Sequence, residues 1–256
     1  MRNYKGYLID LDGTMYRGKE KIPAAKRFIE KLQDKKIPFL FVTNNSTQEP
    51  QAVVDNLANN FDIHVTRENV YTTALATADY LAGLAKGKKS VYTIGEFGLK
   101  KALTDKGFYF EEKNPAYVVV GLDYDVTYHK FELATLAIKR GAKFIGTNAD
   151  TNLPNERGLV PGAGSIIALV ECATQQKATY VGKPEAIIME KALAKLNLQK
   201  DEVIMVGDNY MTDISAGINL GTDTLIVYTG VSTPKQVSQK DIKPTYEVNS
   251  LDEWSL

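Results

Sequence analysis

Short apolar runs that break off into Asp, Asn, Gly or Thr recur along this chain, and they narrow the folds open to it. Tyr7-Leu8-Ile9, Phe39-Leu40-Phe41-Val42, Val203-Ile204-Met205-Val206 and Thr224-Leu225-Ile226-Val227 are each too short for a helix and carry apolar residues at consecutive positions. A strand covered on both faces has this pattern, since side chains on either side of it meet a nonpolar layer. Longer amphipathic stretches separate the runs. Pro23 opens one with Ala25, Phe28, Ile29 and Leu32 on a single stripe; Glu185 to Leu196 is another, with Ile188, Ala192 and Leu196 four apart and Pro184 at its first position. Strands alternating with helices predict an α/β fold around a parallel sheet.

The middle of the chain repeats the rhythm. Val91-Tyr92-Thr93-Ile94, Tyr117-Val118-Val119-Val120 and Lys143-Phe144-Ile145-Gly146 read as strands, with helices at 97–106 and 128–140 between them. Gly83 to Lys89 and Thr174 to Lys177 are polar, small-residue joints of the sort found at domain edges. The expected organisation is a main domain of 1-80 and 181-256 with an inserted domain at 81-180.

Composition removes several function classes. Thirty-one Lys+Arg against thirty-one Asp+Glu leave no net charge for a nucleic-acid surface or a polybasic membrane patch, so neither partner is expected. Cys172 is the only cysteine and is expected to be a small core residue; with His64 and His129 the only histidines, a zinc centre or a histidine-based triad lacks material. The start of the chain, Met1 to Gly6, has no signal-peptide apolar region, and no 18-residue apolar run occurs, which gives the expectation of a cytoplasmic protein.

The polar clusters at the strand ends carry the chemistry. Asp10-Leu11-Asp12-Gly13-Thr14 follows the first run. Residues two apart on a strand share a side, so both carboxylates could approach one point, where a hard cation such as Mg²⁺ would relieve their repulsion. The same residues also suit a plain turn. A calcium loop is excluded, because its sixth position would be Met15 and its twelfth Lys21. Thr43-Asn44-Asn45-Ser46-Thr47 ends the second run and opens an expected helix, either as an anion site with Thr43 on phosphate or as an N-cap. Gly182-Lys183-Pro184-Glu185 puts a lysine before a helix start, unfavourable unless an anion neutralises both, or else a solvated surface lysine. Val206-Gly207-Asp208-Asn209 offers a further oxygen to a metal, and Asp213 could orient Lys183 or a metal-bound water; the alternative is a turn with a capping Asp. Four clusters, each past the C-terminal end of a strand, fit the crevice where open α/β sheets bind ligands.

Taken in order, Asp10-x-Asp12-Gly13-Thr14, Thr43, Lys183-Pro184 and Gly207-Asp208-Asn209…Asp213 closely resemble the four motifs of the haloacid-dehalogenase-like hydrolase superfamily. Val42-Thr43-Asn44-Asn45-Ser46, Val181-Gly182-Lys183-Pro184 and the large insertion look like its NagD-type, nitrophenyl-phosphatase branch. The resemblance implies a Rossmann-like parallel-sheet core with an inserted α/β cap domain, and Mg²⁺-dependent hydrolysis of phosphate monoesters through an aspartyl-phosphate. On this mapping Asp10 is the nucleophile and Asp12 the general acid/base. Thr43 and Lys183 hold the phosphoryl oxygens, with Asn44 and Asn45 beside them on the substrate. Asp10, Asp208 and the backbone carbonyl of Asp12 ligate the metal, and Asn209 and Asp213 stand behind them. The substrate is expected to be a small phosphorylated metabolite, a sugar phosphate or a nucleotide, and a homodimer stays open.

Rival readings are a phosphomutase or phosphotransferase on the same residues, a dehalogenase, which has no need of Asp12, and a receiver-like phospho-acceptor, which has no need of the insertion. Within the insertion, Asn148 to Pro154 and Pro161 to Ser165 flank a charged loop with Glu156 and Arg157, and Gly121 to Asp125 ends a strand. These are either substrate-reading elements or plain loops.

Overall fold

A computed structural model describes residues 3–155 and 157–256, so Glu156 and the first two residues of the N-terminus discussed above lie outside the described residues. The chain forms two compact units. The first comprises Met1–Thr43, Pro50–Tyr71 and Lys183–Leu256; the second comprises Asn44–Glu49 and Thr72–Gly182.

The first unit is built on a six-stranded sheet in the order Tyr246–Val248, Asp223–Val227, Val203–Gly207, Gly6–Ile9, Phe39–Thr43, Val70–Thr72. Gly6–Ile9 pairs in parallel with a neighbour on each side, and the four residues of this strand are all buried. The helix Pro23–Asp34 buries Ala25, Phe28, Ile29 and Leu32, the expected stripe, with the Phe28 ring 5.6 Å from that of Tyr7. Their cluster extends through Phe41, Leu57, Val206 and Trp254, which closes the core at the C-terminal end of the chain.

Register decides what the sheet presents at its edge. Ile9 lies beside Phe41 on one side and Val206 on the other. Counting on, Asp10 stands one residue past that line, and Thr43 and Asp208 two. Three neighbouring parallel strands thus end within two residues of one another, with Asp10, Thr43 and Asp208 at or just past their ends.

The second unit has its own five-stranded parallel sheet, ordered Thr179–Tyr180, Lys143–Gly146, Tyr117–Val120, Ser90–Ile94, Tyr109–Phe110. Helices Phe97–Asp105 and Tyr128–Lys139 occupy the expected stretches, and Val118, Val120, Ile94, Phe144, Ile138 and Ile167 share one buried cluster. The Asn152–Asn155 and Gly158–Pro161 strands form an antiparallel hairpin. The division falls at 72 and 182 where the sequence suggests 81 and 180. The helix Thr73–Leu84 packs against Phe97–Asp105, so the joint at Gly83 to Lys89 is a turn inside this unit. The loop Asn44–Glu49 joins the same unit because Thr47 O accepts from Gly98 N at 2.9 Å and Asn44 O accepts from Thr73 Oγ1 at 2.7 Å.

Two local expectations fail. Cys172 is exposed, because it falls on the outer face of the helix Ala163–Thr174, whose inner face is Ile166, Ile167 and Val170. The apolar run that suggested burial for it is helical, so it buries only one side. The helix after Lys183 runs Ala186–Leu196, with Glu185 as its N-cap, which leaves Pro184 in the preceding turn.

Candidate active site

The first strand ends at Ile9, so Asp10 and Asp12 are in a turn and the alternation of a strand no longer orders them. Asp10 keeps the sheet's last rung, its N–H donating to Val206 O at 2.9 Å. The two carboxylates then diverge. Asp10 Oδ1 accepts from Lys183 Nζ at 2.5 Å, while the exposed Asp12 side chain accepts from Gly18 N at 3.0 Å in the hairpin that follows.

Lys183 is 2% exposed. It is no solvated surface lysine. Its ammonium also donates to Asp213 Oδ1 at 2.7 Å, so it bridges two carboxylates from distant parts of the sequence. Burial alone would lower its pKa, but Asp10 and Asp213 together hold it above the ordinary lysine range. Asp213 reaches this point because Asn209 caps the π-helical turn Tyr210–Ile214. Asn209 Oδ1 accepts from Met211 N at 3.0 Å, Asn209 O accepts from Asp213 N at 2.9 Å, and Asn209 N donates to Asp213 Oδ2 at 3.1 Å.

Asp208 is clasped by a loop the sequence reading passed over. Val231 N donates to its Oδ2 at 2.6 Å, Ser232 N to its backbone oxygen at 3.1 Å, and Thr14 Oγ1 to its Oδ1 at 3.3 Å. Thr229 Oγ1 donates to Gly13 O at 2.5 Å and ties this loop to the turn of the first motif. Gly13 has φ +92°, and a Cβ on Gly13 or Gly230 would overlap the Asp208 carboxylate. Only glycine fits such a cradle. A signal was available: Thr229-Gly230 follows the strand Asp223–Val227, the same strand-end position as the other clusters.

Asp10, Asp208 and Asp213 bring one carboxylate oxygen each within 4.8 Å of one another. One ammonium among three carboxylates leaves negative charge in excess. Burial first, then the charge of Asp213, lifts Asp10 well above the usual carboxylate range against the pull of Lys183; burial and Asp213 push Asp208 up to about 6. These are carboxylates with too little positive charge around them. Oxygen donors, crowding without side chains on the glycines, and uncompensated charge suit a hard divalent cation such as Mg²⁺, which Asp10 and Asp208 could hold.

Thr43 is the last residue of its strand and half-buried. The helix after it starts only at Pro50, so no helix N-terminus stands at Thr43 to Thr47. Asn45 Oδ1 instead accepts from Thr47 N and Thr47 Oγ1, both at 2.8 Å. Asn44 Nδ2 donates to the Asp150 carboxylate at 3.2 and 3.1 Å, within the second unit. Of the sequence-predicted residues, the structure gathers Asp10, Lys183, Asp208, Asn209 and Asp213; it turns Asp12 toward Gly18 and engages Asn44 and Asn45 in their own unit.

The chain resembles known proteins over almost its whole length. Residues 7–109 match the haloacid dehalogenase-like hydrolase family, and residues 180–254 match a second family described as HAD-hydrolase-like. The chain is 50% identical over 254 residues to the 5'-nucleotidase YutF of Bacillus subtilis strain 168, covering 99% of this chain and 98% of that one. It is equally 50% identical to the acid sugar phosphatase of Staphylococcus aureus strain USA300, covering 99% and 97%. Among solved structures, NagD from E. coli K-12 superposes with a TM-score of 0.93 at 32% identity, over 99% of both chains. No helix among the described residues is long and apolar enough to cross a membrane.

Proposed function

For a chain that belongs to the haloacid dehalogenase-like hydrolase family, in its NagD-like branch, and is a phosphoric monoester hydrolase, we propose that Asp10 is the nucleophile of a Mg²⁺-dependent reaction on small phosphorylated metabolites. The observation that carries this reading is the buried Lys183 ammonium, 2.5 Å from Asp10 in a site with three carboxylates. A lysine so placed favours the ionised form of a buried Asp, the form in which a carboxylate attacks phosphorus.

The first unit is the catalytic core and the second its cap. Lys183 and Thr43 hold the phosphoryl oxygens of the bound ester. Asp10 attacks phosphorus: the Asp10 Oδ–P bond forms, the ester P–O bond breaks, and Asp12 gives its proton to the leaving alkoxide. Water then attacks the same phosphorus, Asp12 takes the proton back, and Asp10 is released with inorganic phosphate. Asp10, Asp208 and the Asp12 backbone carbonyl would hold Mg²⁺, which would supply charge neutralisation for the transferring group. Asp213 keeps Lys183 aimed at Asp10, and Asn209 keeps Asp213 in place. In this structure the Asp12 carboxylate accepts from Gly18 N, outside the cluster, and its acid/base role requires it to turn toward a bound ester.

Relatives named for a nucleotide and for a sugar phosphate at equal identity support a small phosphorylated metabolite as substrate and leave both classes standing. The test is phosphate release from a generic aryl phosphate with Mg²⁺. Asp10→Asn should abolish turnover while the melting transition stays near that of the parent. Near-parental turnover would remove Asp10 as nucleophile.

A further inference from the structure

Asn148 and Asp150 lie in one of the stretches that read equally as substrate contact or plain loop, and the proposed reaction uses neither. Both are engaged inside the second unit. Besides the two bonds from Asn44 Nδ2 to the Asp150 carboxylate, Asn44 O accepts from Asn148 Nδ2 at 2.8 Å and from Thr73 Oγ1 at 2.7 Å. Asn148 Oδ1 accepts from Asp150 N at 3.1 Å, and Asp150 O accepts from Gly164 N at 2.9 Å, which anchors the aspartate to the start of the helix Ala163–Thr174. Gly182 completes the group. Its N–H donates to Thr147 O at 2.7 Å, and a Cβ there would stand 2.7 Å from Asn44 Oδ1 and 2.8 Å from Asn148 Cβ.

Chain connectivity gives this network its consequence. Asn44 directly follows Thr43, and Gly182 directly precedes Lys183. Each group assigned to the phosphoryl oxygens is one peptide unit from the network, and a trans peptide sets successive Cα atoms about 3.8 Å apart. Holding Asn44 against Gly182 therefore limits how far the Thr43 and Lys183 backbones can separate.

We infer that Asp150, with Asn148, is a positioning residue for the phosphate site: its carboxylate fixes the Asn44 amide against Gly182 and so sets the spacing of Thr43 and Lys183. The inference rests on the reading of those two residues as phosphate ligands. It makes Asp150 a support of the reaction rather than a reader of the substrate's organic part.

Asp150→Ala removes both acceptors, whereas Asp150→Asn keeps a carbonyl oxygen for one Asn44 proton. The readouts are kcat and KM on an aryl phosphate, the inhibition constant of inorganic phosphate, and the melting temperature. Asp150→Ala should lower kcat/KM by about tenfold to a hundredfold, the loss that ångström-scale misplacement of binding groups brings, and raise the inhibition constant of phosphate alongside. Asp150→Asn should recover most of both. An inhibition constant within about twofold of the parent's in Asp150→Ala would overturn the inference, a change of under 0.5 kcal/mol. So would an Asp150→Asn protein as impaired as Asp150→Ala. Where Asp150→Ala fails to fold, Asn148→Ser is judged on the same inhibition constant. A parent protein that neither releases nor binds phosphate would remove the phosphatase reading itself, whereas an active parent indifferent to Asp150 removes only the positioning role.

Discussion

Replacing Lys183 with methionine tests the electrostatics of the site, because the side chain stays linear, only one atom shorter, and loses its charge. The ammonium lies 2.5 Å from Asp10 and 2.7 Å from Asp213, and the residue is 2% exposed. Removing one partner of a buried ion pair costs about 3–5 kcal/mol, because the remaining charge is stranded. Here the stranded groups are acids, so the cost depends on pH. Lys183 holds Asp10 down against burial and Asp213; without it, the folded-state pKa of Asp10 climbs further above its unfolded value. A carboxyl raised on folding stabilises nothing once ionised: the native state binds more protons than the unfolded one, and stability falls as pH rises through the folded pKa. The penalty is small where Asp10 in the variant is protonated and grows as pH rises through that raised folded-state pKa. Melting in the presence of a chelator should therefore show the gap between parent and Lys183→Met widening with rising pH. For a chain of this size the full gap is roughly 6–20 °C, at about 2–4 °C per kcal/mol. A gap independent of pH would refute the argument.

Asp208→Asn should stabilise the metal-free protein above pH 6, where the parent bears a carboxylate pushed up to about 6, and should abolish the rise in melting temperature on adding Mg²⁺; calorimetry with and without Mg²⁺ checks both signs. Gly13→Ala combines φ +92° with overlap on Asp208, so a loss beyond the about 1–2 kcal/mol of backbone strain is expected in chemical unfolding, together with weaker Mg²⁺ binding. Phe28→Ala, in the core under the first strand, should cost about 3–5 kcal/mol in the same unfolding assay while kcat of the folded fraction stays near parental.

What the sequence made legible follows from which forces act locally. Consecutive buried residues such as Gly6–Ile9 and Tyr117–Val120 announce strands because both faces are covered, and Phe28 and Leu32 announce a helix by their spacing. The convergence of Asp10 and Asp208 could be read because strand ends in a parallel sheet share one edge; Lys183 follows Thr179–Tyr180, a strand of the other sheet, so the strand-end rule does not account for it and only its place before a helix marked it. Asp12 escaped that reading since periodicity stops where the strand stops, at Ile9. The Asp208 clasp at Val231 and Ser232 uses backbone N–H groups, which any residue carries, so no side-chain pattern marks it. Asn44 and Asn45 resemble caps and anion ligands equally in sequence; Asp150, more than a hundred positions away, engages Asn44, while Asn45 turns to Thr47 two residues on. Cys172 was misplaced because an apolar run does not say which face of a helix is outward.

The central claim is that phosphorus passes through a covalent bond to one particular carboxylate. Rapid acid quenching during turnover of an aryl phosphate with Mg²⁺, followed by peptide mass spectrometry, tests it without intermediaries. A phosphoryl group on the tryptic peptide Gly6–Arg17 assigned to Asp10, formed and lost at rates that account for turnover, is the predicted result. Steady turnover with no phosphoryl group on Asp10 at any quench time, or with one on another residue, would contradict it.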